Sequence, residues 1–297
     1  MAFRVEAGEI VGLVGKNGTG KSTALRILSG QLLPTSGRVR IDGISVPDDP
    51  QAIRERIGYL PEVPPLYREM TVRAYLTFVG GLRRIPRKDS AASVSKVCEE
   101  TGLTEVIGER LGDLSKGYQQ RVGIAQAIIH HPSVILLDEP MAGLDPLQIV
   151  QIRDLIVSLR SRHTVLFSSH ILSEITNVCD RVILIDQGTV RAEGAEAELR
   201  ESMSAGRHIS VLVRGAEKKL TAVVGGIKGL EETSRTKAGQ NLWHLALQAK
   251  DDKREAFSKA CVQAGLGLIE MKSDHSGLED LFMQLLEPGD SPGKAAK

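Results

Sequence analysis

Apolar positions along this chain recur with two different periods, and the points where the period changes mark the elements. The run Glu9-Ile10-Val11-Gly12-Leu13-Val14 predicts a buried strand, preceded by a strand at Phe3–Glu6 that turns at Gly8. A glycine-punctuated loop follows, then the helical pattern Ala24-Leu25-Arg26-Ile27-Leu28, with Gly30 as its C-cap. Gly37 to Ile41 alternates as a half-buried strand ending at an Asp42-Gly43 turn. Ile57 to Leu60 predicts a short strand that runs through Pro61 and Glu62 into a proline-rich loop.

From Thr71 to Leu114 the spacing is helical, through Val72, Tyr75, Leu76, Phe78 and Val79, then Val94, Val97, Leu103 and Val106. The basic run Arg83-Arg84 and Arg87-Lys88 interrupts it and predicts a solvated helix end or turn. Helical spacing resumes at Val122, Ala125, Ile128 and Ile129, and His130-His131 close that helix before Pro132 as partners of its C-terminal dipole. Val134–Leu137 and Thr164–Phe167 are continuous apolar runs, as strands buried on both faces of a parallel sheet must be, with a helix from about Leu147 to Arg160 between them. A last strand, Arg181–Ile185, and the turn Asp186-Gln187-Gly188 complete this part by about residue 200.

Beyond that point the pattern changes character. Ile209-Val211-Val213 and Trp243-Leu245-Leu247 alternate as half-exposed strands, with Trp243 read as core or domain interface. Asp252–Ala264 is an amphipathic helix, Leu266–Met271 a strand, and Leu278, Leu281, Phe282 and Leu285 mark a final helix. Strands alternating with helices predict an α/β domain with a mostly parallel sheet over residues 1–200, carrying a helical insert at about 71–115. The β-α-β-β-α-β order predicts a small α+β ferredoxin-like domain over residues 205–287, and 288–297 a disordered tail.

A length of 297 residues suits two such domains. The net charge of +1 lacks the basic footprint of a nucleic-acid binder, so no nucleic-acid partner is expected. Cys98, Cys179 and Cys261 are far apart and in no metal-binding spacing, so they read as buried small apolar residues. No apolar run reaches the ~18 residues of a membrane span, and the first residues lack a signal-peptide core, so a soluble cytoplasmic chain is expected.

The chemistry begins in the loop Gly15-Lys16-Asn17-Gly18-Thr19-Gly20-Lys21-Ser22-Thr23. The spacing Gly-x4-Gly-Lys-Ser between a strand and a helix lets successive amides turn inward toward a polyphosphate while the helix adds its positive end. Lys21 can reach the β- and γ-phosphates and the Ser22 hydroxyl can occupy one position around Mg²⁺, so a nucleoside triphosphate with Mg²⁺ is the leading ligand and the first domain is expected to be a P-loop NTPase. Leu114-Ser115-Lys116-Gly117-Tyr118-Gln119 caps another helix and forms a second anion site by the same logic. Asp138 and Glu139 end the strand 134–137 at the edge where open α/β sheets bind ligands; Asp138 is placed to hold Mg²⁺ and Glu139 to polarise water. His170 follows the strand 164–167 at the same convergence.

In this order and spacing, Gly15–Thr23, Leu114–Gln119, Leu137-Asp138-Glu139-Pro140, Gly143-Leu144-Asp145 and Ser169-His170 resemble the motifs of the ATP-binding subunit of an ABC transporter. The look is closest to gliding-motility-type and multidrug-type export ATPases, and Leu278-Glu279-Asp280-Leu281-Phe282 is similar to an accessory domain that follows the cassette in many bacterial exporters. The resemblance implies a dimer, here a homodimer, with ATP between the phosphate loop of one cassette and Ser115 and Gly117 of the other. Lys21 and the loop residues Gly15, Asn17, Gly18, Gly20 and Thr23 would bind phosphate, and Ser22 and Asp138 the Mg²⁺. Glu139 would be the general base, His170 would stabilise the γ-phosphate transition state, and Asp145 would connect the two sites. Hydrolysis would drive a separate integral-membrane permease, docked on the insert near Thr71 to Gly81, with the chain peripheral on the inner face of the cell membrane.

The sequence departs from that family's pattern at four places. Glu62 stands for the usual glutamine, keeping an oxygen for Mg²⁺ or water, and Met141 replaces a threonine or serine. Lys116 and Tyr118 stand where glycine and glutamine are usual; Lys116 reaches either a partner's γ-phosphate or solvent. The family's residues before Phe3, including an aromatic that stacks on adenine, have no counterpart here, so a start downstream of the natural one is expected. The rival reading, a non-transport ABC ATPase acting on nucleic acid or the ribosome, calls for a long coiled-coil insert or a second cassette, and neither is seen. A sensor that never hydrolyses is opposed by Glu139 and His170.

Overall fold

The structure is a computed structural model and describes residues 1–45, 48–203, 207–249 and 251–274. The chain divides into two compact units, Met1–Glu196 and Ala197–Lys297. In the first, β1 (Ile10–Val14) is buried at every position and leads through the glycine loop into α1 (Lys21–Leu28). A two-stranded hairpin follows, β2 (Arg40–Ile41) and β3 (Ile44–Ser45), turned by Asp42 and Gly43, which both adopt positive φ (49° and 78°). Next come α2 (Pro50–Arg56) and β4 (Ile57–Leu60). The helix α2 was not expected from apolar spacing, yet its start is written locally: the Asp49 side chain accepts from the Ala52 amide and proline takes the first helical position.

The helical insert contains α3 (Val72–Leu82) and α4 (Arg87–Thr101), after which α5 (Lys116–Ile128) carries the chain back to the sheet. Arg84, Arg87 and Lys88 are exposed at the turn between α3 and α4, as expected. Arg83 is instead half-buried and donates to the Arg54 carbonyl at 2.6 Å. Then follow β5 (Val134–Leu137), α6 (Pro146–Leu159), β6 (Thr164–Ser169), the short α7 (Leu172–Thr176), β7 (Arg181–Asp186) and β8 (Thr189–Gly194). The strand order is β4-β5-β6-β1-β7-β8, parallel except for the antiparallel β8. The strand β8 was missed because its side chains alternate between exposed and half-buried and carry little apolar signal.

Residues 3–6, expected as a strand, form none. Phe3 and Val5 pack half-buried against the cluster of Val11, Leu13, Leu25, Leu136 and Ile183, so their alternation reports packing. A strand also needs a partner for its amides and carbonyls, and no described strand pairs with this segment.

The sheet order brings the C-terminal ends of β5, β6 and β1 side by side, with Leu137 opposite Phe167 and Val14 opposite Ser169. Whatever follows those residues must share one edge. The close fit on the sheet face depends on Gly58 of β4, where an added Cβ would lie 2.0 Å from the Ala127 carbonyl oxygen of α5.

The second unit begins within α8 (Glu196–Met203) and continues as β9 (Arg207–Arg214), α9 (Glu217–Gly225), β10 (Leu230–Gly239), β11 (Leu242–Ala249), α10 (Arg254–Gln263) and β12 (Gly267–Asp274). Its sheet is antiparallel with the order β10-β11-β9-β12, the arrangement of a split β-α-β fold. Val211, Val213, Leu220, Leu245, Leu247, Phe257 and Cys261 form its own core. Trp243 packs on that core and donates its indole N–H to the Gly215 carbonyl at 3.1 Å. The helix expected around Leu278 to Leu285 and the tail 288–297 lie outside the described residues.

Candidate functional site

Gly15 leaves β1 with no room for a side chain, since a Cβ there would meet the Ile185 carbonyl oxygen at 2.4 Å and Thr19 Oγ1 at 2.5 Å. Gly18 and Gly20 turn the loop through positive φ (83° and 106°), a conformation that costs glycine least. The Thr19 hydroxyl donates to the Lys16 carbonyl at 2.9 Å and locks the bend. α1 then starts at Lys21, so its free amides and positive dipole end face the loop. Lys21, only 5 % exposed, folds back over the loop and donates to the Gly15 and Lys16 carbonyls at 2.7 and 3.3 Å.

The carboxylates arrive from the neighbouring strands. Asp138, 2 % exposed, follows β5; its Oδ1 accepts from Ser22 Oγ at 3.0 Å and from Ser168 Oγ at 2.7 Å. Glu139, 8 % exposed, has φ +48°, a left-handed conformation that costs a non-glycine residue about 1–3 kcal/mol. Its Oε1 pairs with Lys21 Nζ at 3.3 Å and its Oε2 lies 2.8 Å from His170 Nδ1. Its amide donates to Ser168 Oγ at 2.9 Å. On the far side of His170, Ser169 Oγ donates to the buried Glu174 carboxylate at 2.6 Å and accepts from the Ile171 amide at 3.0 Å, so the residues flanking His170 share one hydroxyl.

Lys21, Ser22, Glu139 and His170 line a cavity of about 310 Å³ together with Asn17, Gly18, Gly20, Thr23, the exposed Glu62, and Ala142. One wall is a cationic and amide-rich cradle and the opposite wall carries carboxylates and an imidazole. Ser22 and Asp138 form a pair of hard oxygen donors already in contact. Among the described residues no group of three or more His, Cys, Asp or Glu could hold a metal alone. This donor set suits a small cation that takes its other ligands from water and phosphate.

Ser115, Lys116, Gly117 and Asp145 do not line this cavity. Ser115 is exposed and caps α5, its side chain accepting from the Tyr118 amide, while Gly117 packs where a Cβ would meet the Gln148 side chain at 2.8 Å. Asp145 is exposed and caps α6, accepting from the Gln148 amide at 2.9 Å. Lys116 Nζ lies over Gly143, 2.2 Å from the position a Cβ would take. Met141 is buried.

His130 departs from its expected role as a cationic partner of the α5 dipole. Its Nε2 is 3.2 Å from the Ile57 carbonyl, so that nitrogen carries the proton, and Nδ1 is buried without a partner. Burial first, then the Arg83 guanidinium, push its pKa down to about 4, which keeps the ring neutral. The contributions of Ser168 and Glu174 were not singled out from sequence. The available signal was a polar residue inside a buried strand end, at Ser168, and an acid in the first turn after it, at Glu174.

The family described as ABC transporter matches residues 1–142. An uncharacterised ABC transporter ATP-binding protein of Synechocystis is 34% identical over 293 residues, covering 97% of this chain and 78% of the relative. The bacitracin transport ATP-binding protein BcrA of Bacillus licheniformis is 32% identical over 291 residues, covering 97% of this chain and 91% of the relative. Among solved structures, the ATP-binding cassette MJ0796, in a dimeric post-hydrolysis state bound to ADP and Pi, aligns with a TM-score of 0.59 at 26% identity, covering 65% of this chain and 88% of that one. The fold is that of a P-loop cassette, and the chain belongs to the ATP-binding proteins of the ABC transporter family, which hydrolyse ATP.

Proposed function

We propose that this chain is the motor subunit of an ABC exporter, working as a homodimer that sandwiches two ATP molecules and drives a separate integral-membrane permease. The observation that carries the reading is a division of the chemistry. The cavity holds Lys21, Ser22, Glu139 and His170 but none of Ser115, Lys116 and Gly117, and the exposed Ser115 and Lys116 at the start of α5 would cover ATP from a second copy. The dimeric state of the MJ0796 relative supports the same arrangement.

Within each site, Lys21 and the loop amides hold the β- and γ-phosphates, releasing Lys21 from Glu139. Ser22 and Asp138 would hold Mg²⁺, whose oxygen-donor requirement they fit, and Glu62, which lines the same cavity, would offer a further oxygen. When bound, Mg²⁺ offsets charge on the phosphate oxygens. Glu139 accepts the proton of the attacking water, and His170, held at 2.8 Å from that carboxylate, keeps it oriented and faces the γ-phosphate. Asp145, fixed at the start of α6, stands beside the dimer seam and links one site to the other.

The permease docks on the insert side. Exposed Tyr67, Phe78 and Leu82 present apolar surface there, and a groove of about 640 Å³ lined by Arg26, Gln31, Leu32, Tyr59, Pro61, Pro65, Arg83 and Gln126 opens nearby. Its cationic lining fits a cytoplasmic segment with apolar and acidic side chains, which would place the chain on the inner membrane face. Among the described residues no helix is long and apolar enough to cross a membrane itself. The bacitracin transport relative favours transport over action on nucleic acid or the ribosome.

The deciding experiment mixes two inactive chains. Lys21→Ala removes one half of the site and Ser115→Arg the other, so each homodimer should lose nearly all ATPase activity. Mixing them should restore about one working site per heterodimer. No rescue on mixing, with wild-type activity strictly linear in protein concentration, would refute the sandwich.

A further inference from the structure

We propose that Ser168 is a positioning residue for ATP hydrolysis, an inference that rests on the roles assigned above to Asp138 and Glu139. Ser168 is fully buried near the C-terminal end of β6, where an aliphatic side chain would satisfy packing at no polar cost. Its hydroxyl instead joins two consecutive residues of the adjacent strand end. It donates to Asp138 Oδ1 at 2.7 Å and accepts from the Glu139 amide at 2.9 Å. A hydroxyl has one proton, and a carboxylate can only accept while an amide can only donate, so both directions are fixed by the chemistry.

Two consequences follow for the hydrolytic acids. The peptide of Glu139 is held at φ +48°, and the Ser168 bond anchors its amide there. That backbone conformation directs the Glu139 carboxylate toward Lys21 and His170. Asp138 Oδ1 has a second donor, Ser22, which belongs to the phosphate loop and must turn away when it meets a cation. The Ser168 bond comes from the sheet itself and does not depend on nucleotide. Ser168 therefore sets the metal-holding acid and the water-polarising acid in register with each other, without touching substrate.

The test compares Ser168→Ala, Ser168→Thr and Glu139→Gln in the full chain. For Ser168→Ala, kcat should fall about 10- to 100-fold, the size expected for losing a hydrogen bond to a charged group. KM for ATP should change by less than about threefold, since the phosphate loop is untouched. Ser168→Thr keeps the hydroxyl and should recover most of kcat. In the Glu139→Gln background, where turnover is blocked, Ser168→Ala should raise the Mg²⁺ concentration needed for half-maximal binding of a fluorescent ATP analogue. A Ser168→Ala chain with kcat within twofold of wild type, while Glu139→Gln is inactive, would overturn the proposal. So would an equal loss in Ser168→Ala and Ser168→Thr that tracks a fall in Tm, which a purely structural role produces. Unchanged turnover in Glu139→Gln would instead refute the assignment of Glu139 on which the inference depends.

Discussion

His130 sits against the Ile57 carbonyl with its second nitrogen buried and Arg83 nearby, so its ring resists protonation in the folded chain. His131 and His163 add to that resistance. Its pKa is lowered from 6.5 to about 4, so between those values the unfolded state binds the extra proton. Stability is therefore full above about pH 6.5 and falls as pH drops toward 4. Thermal melts from pH 7.5 to 4.5 should show a decline in Tm that is shallower in His130→Gln, which retains a donor for Ile57. Equal slopes in both chains would remove His130 as the cause. At this same scale the phosphate loop and the Asp138-Glu139 pair were legible, because each is a contiguous string whose chemistry is local. Ser168 was not, because its partners, Asp138 and Glu139, come from another strand end some thirty residues away.

Elements in this fold are placed by a few close approaches. The carbonyl of Ala127 lies where a Cβ on Gly58 would stand, at 2.0 Å, and that carbonyl belongs to backbone that cannot swing aside. Gly58→Ala should push β4 from α5 and cost about 1–3 kcal/mol or more, as overpacking does. Gly81, near the end of α3, is the matched control: nothing lies within 4 Å of its added Cβ. Gly81→Ala should be neutral or stabilise by up to about 1 kcal/mol through helix propensity. Urea titration of both variants checks the pair, and similar Cm values would contradict the packing argument. The start of α5 was readable from its cap Ser115, a neighbour in sequence, whereas Asp145, which caps α6, was read only as part of the turn before a helix from about Leu147. The strand expected at residues 3–6 failed for the opposite reason, since a ladder needs a partner that periodicity cannot supply.

Over the whole molecule, each unit encloses its own core, with Leu13, Leu25 and Leu136 in one and Val213, Leu245 and Phe257 in the other. Separate cores predict separable folding. A chain of residues 1–203 should remain folded, bind ATP and hydrolyse it within several-fold of the full chain, and residues 207–297 should give a cooperative melt alone. Circular dichroism and ATPase assays of the two pieces test this. Loss of nucleotide binding in the chain of residues 1–203 would show that the second unit completes the site.

Periodicity and spacing were enough to place the buried strands of the first unit, three strands and one helix of the second and the phosphate loop, because each depends on residues a few positions apart; α9 and β10, which complete the expected β-α-β-β-α-β run, were not located that way. The order β4-β5-β6-β1-β7-β8 could not be read that way, since adjacency in the sheet is settled by which faces pack, long after the local choices are made. That order alone sets β1 beside β6 and β6 beside β5, and so joins Lys21, Asp138, Glu139, Ser168 and His170 at one edge. Only the folded chain could show that a single buried hydroxyl ties two of those residues together, because hydrogen-bond partners are chosen by distances that sequence separation does not encode.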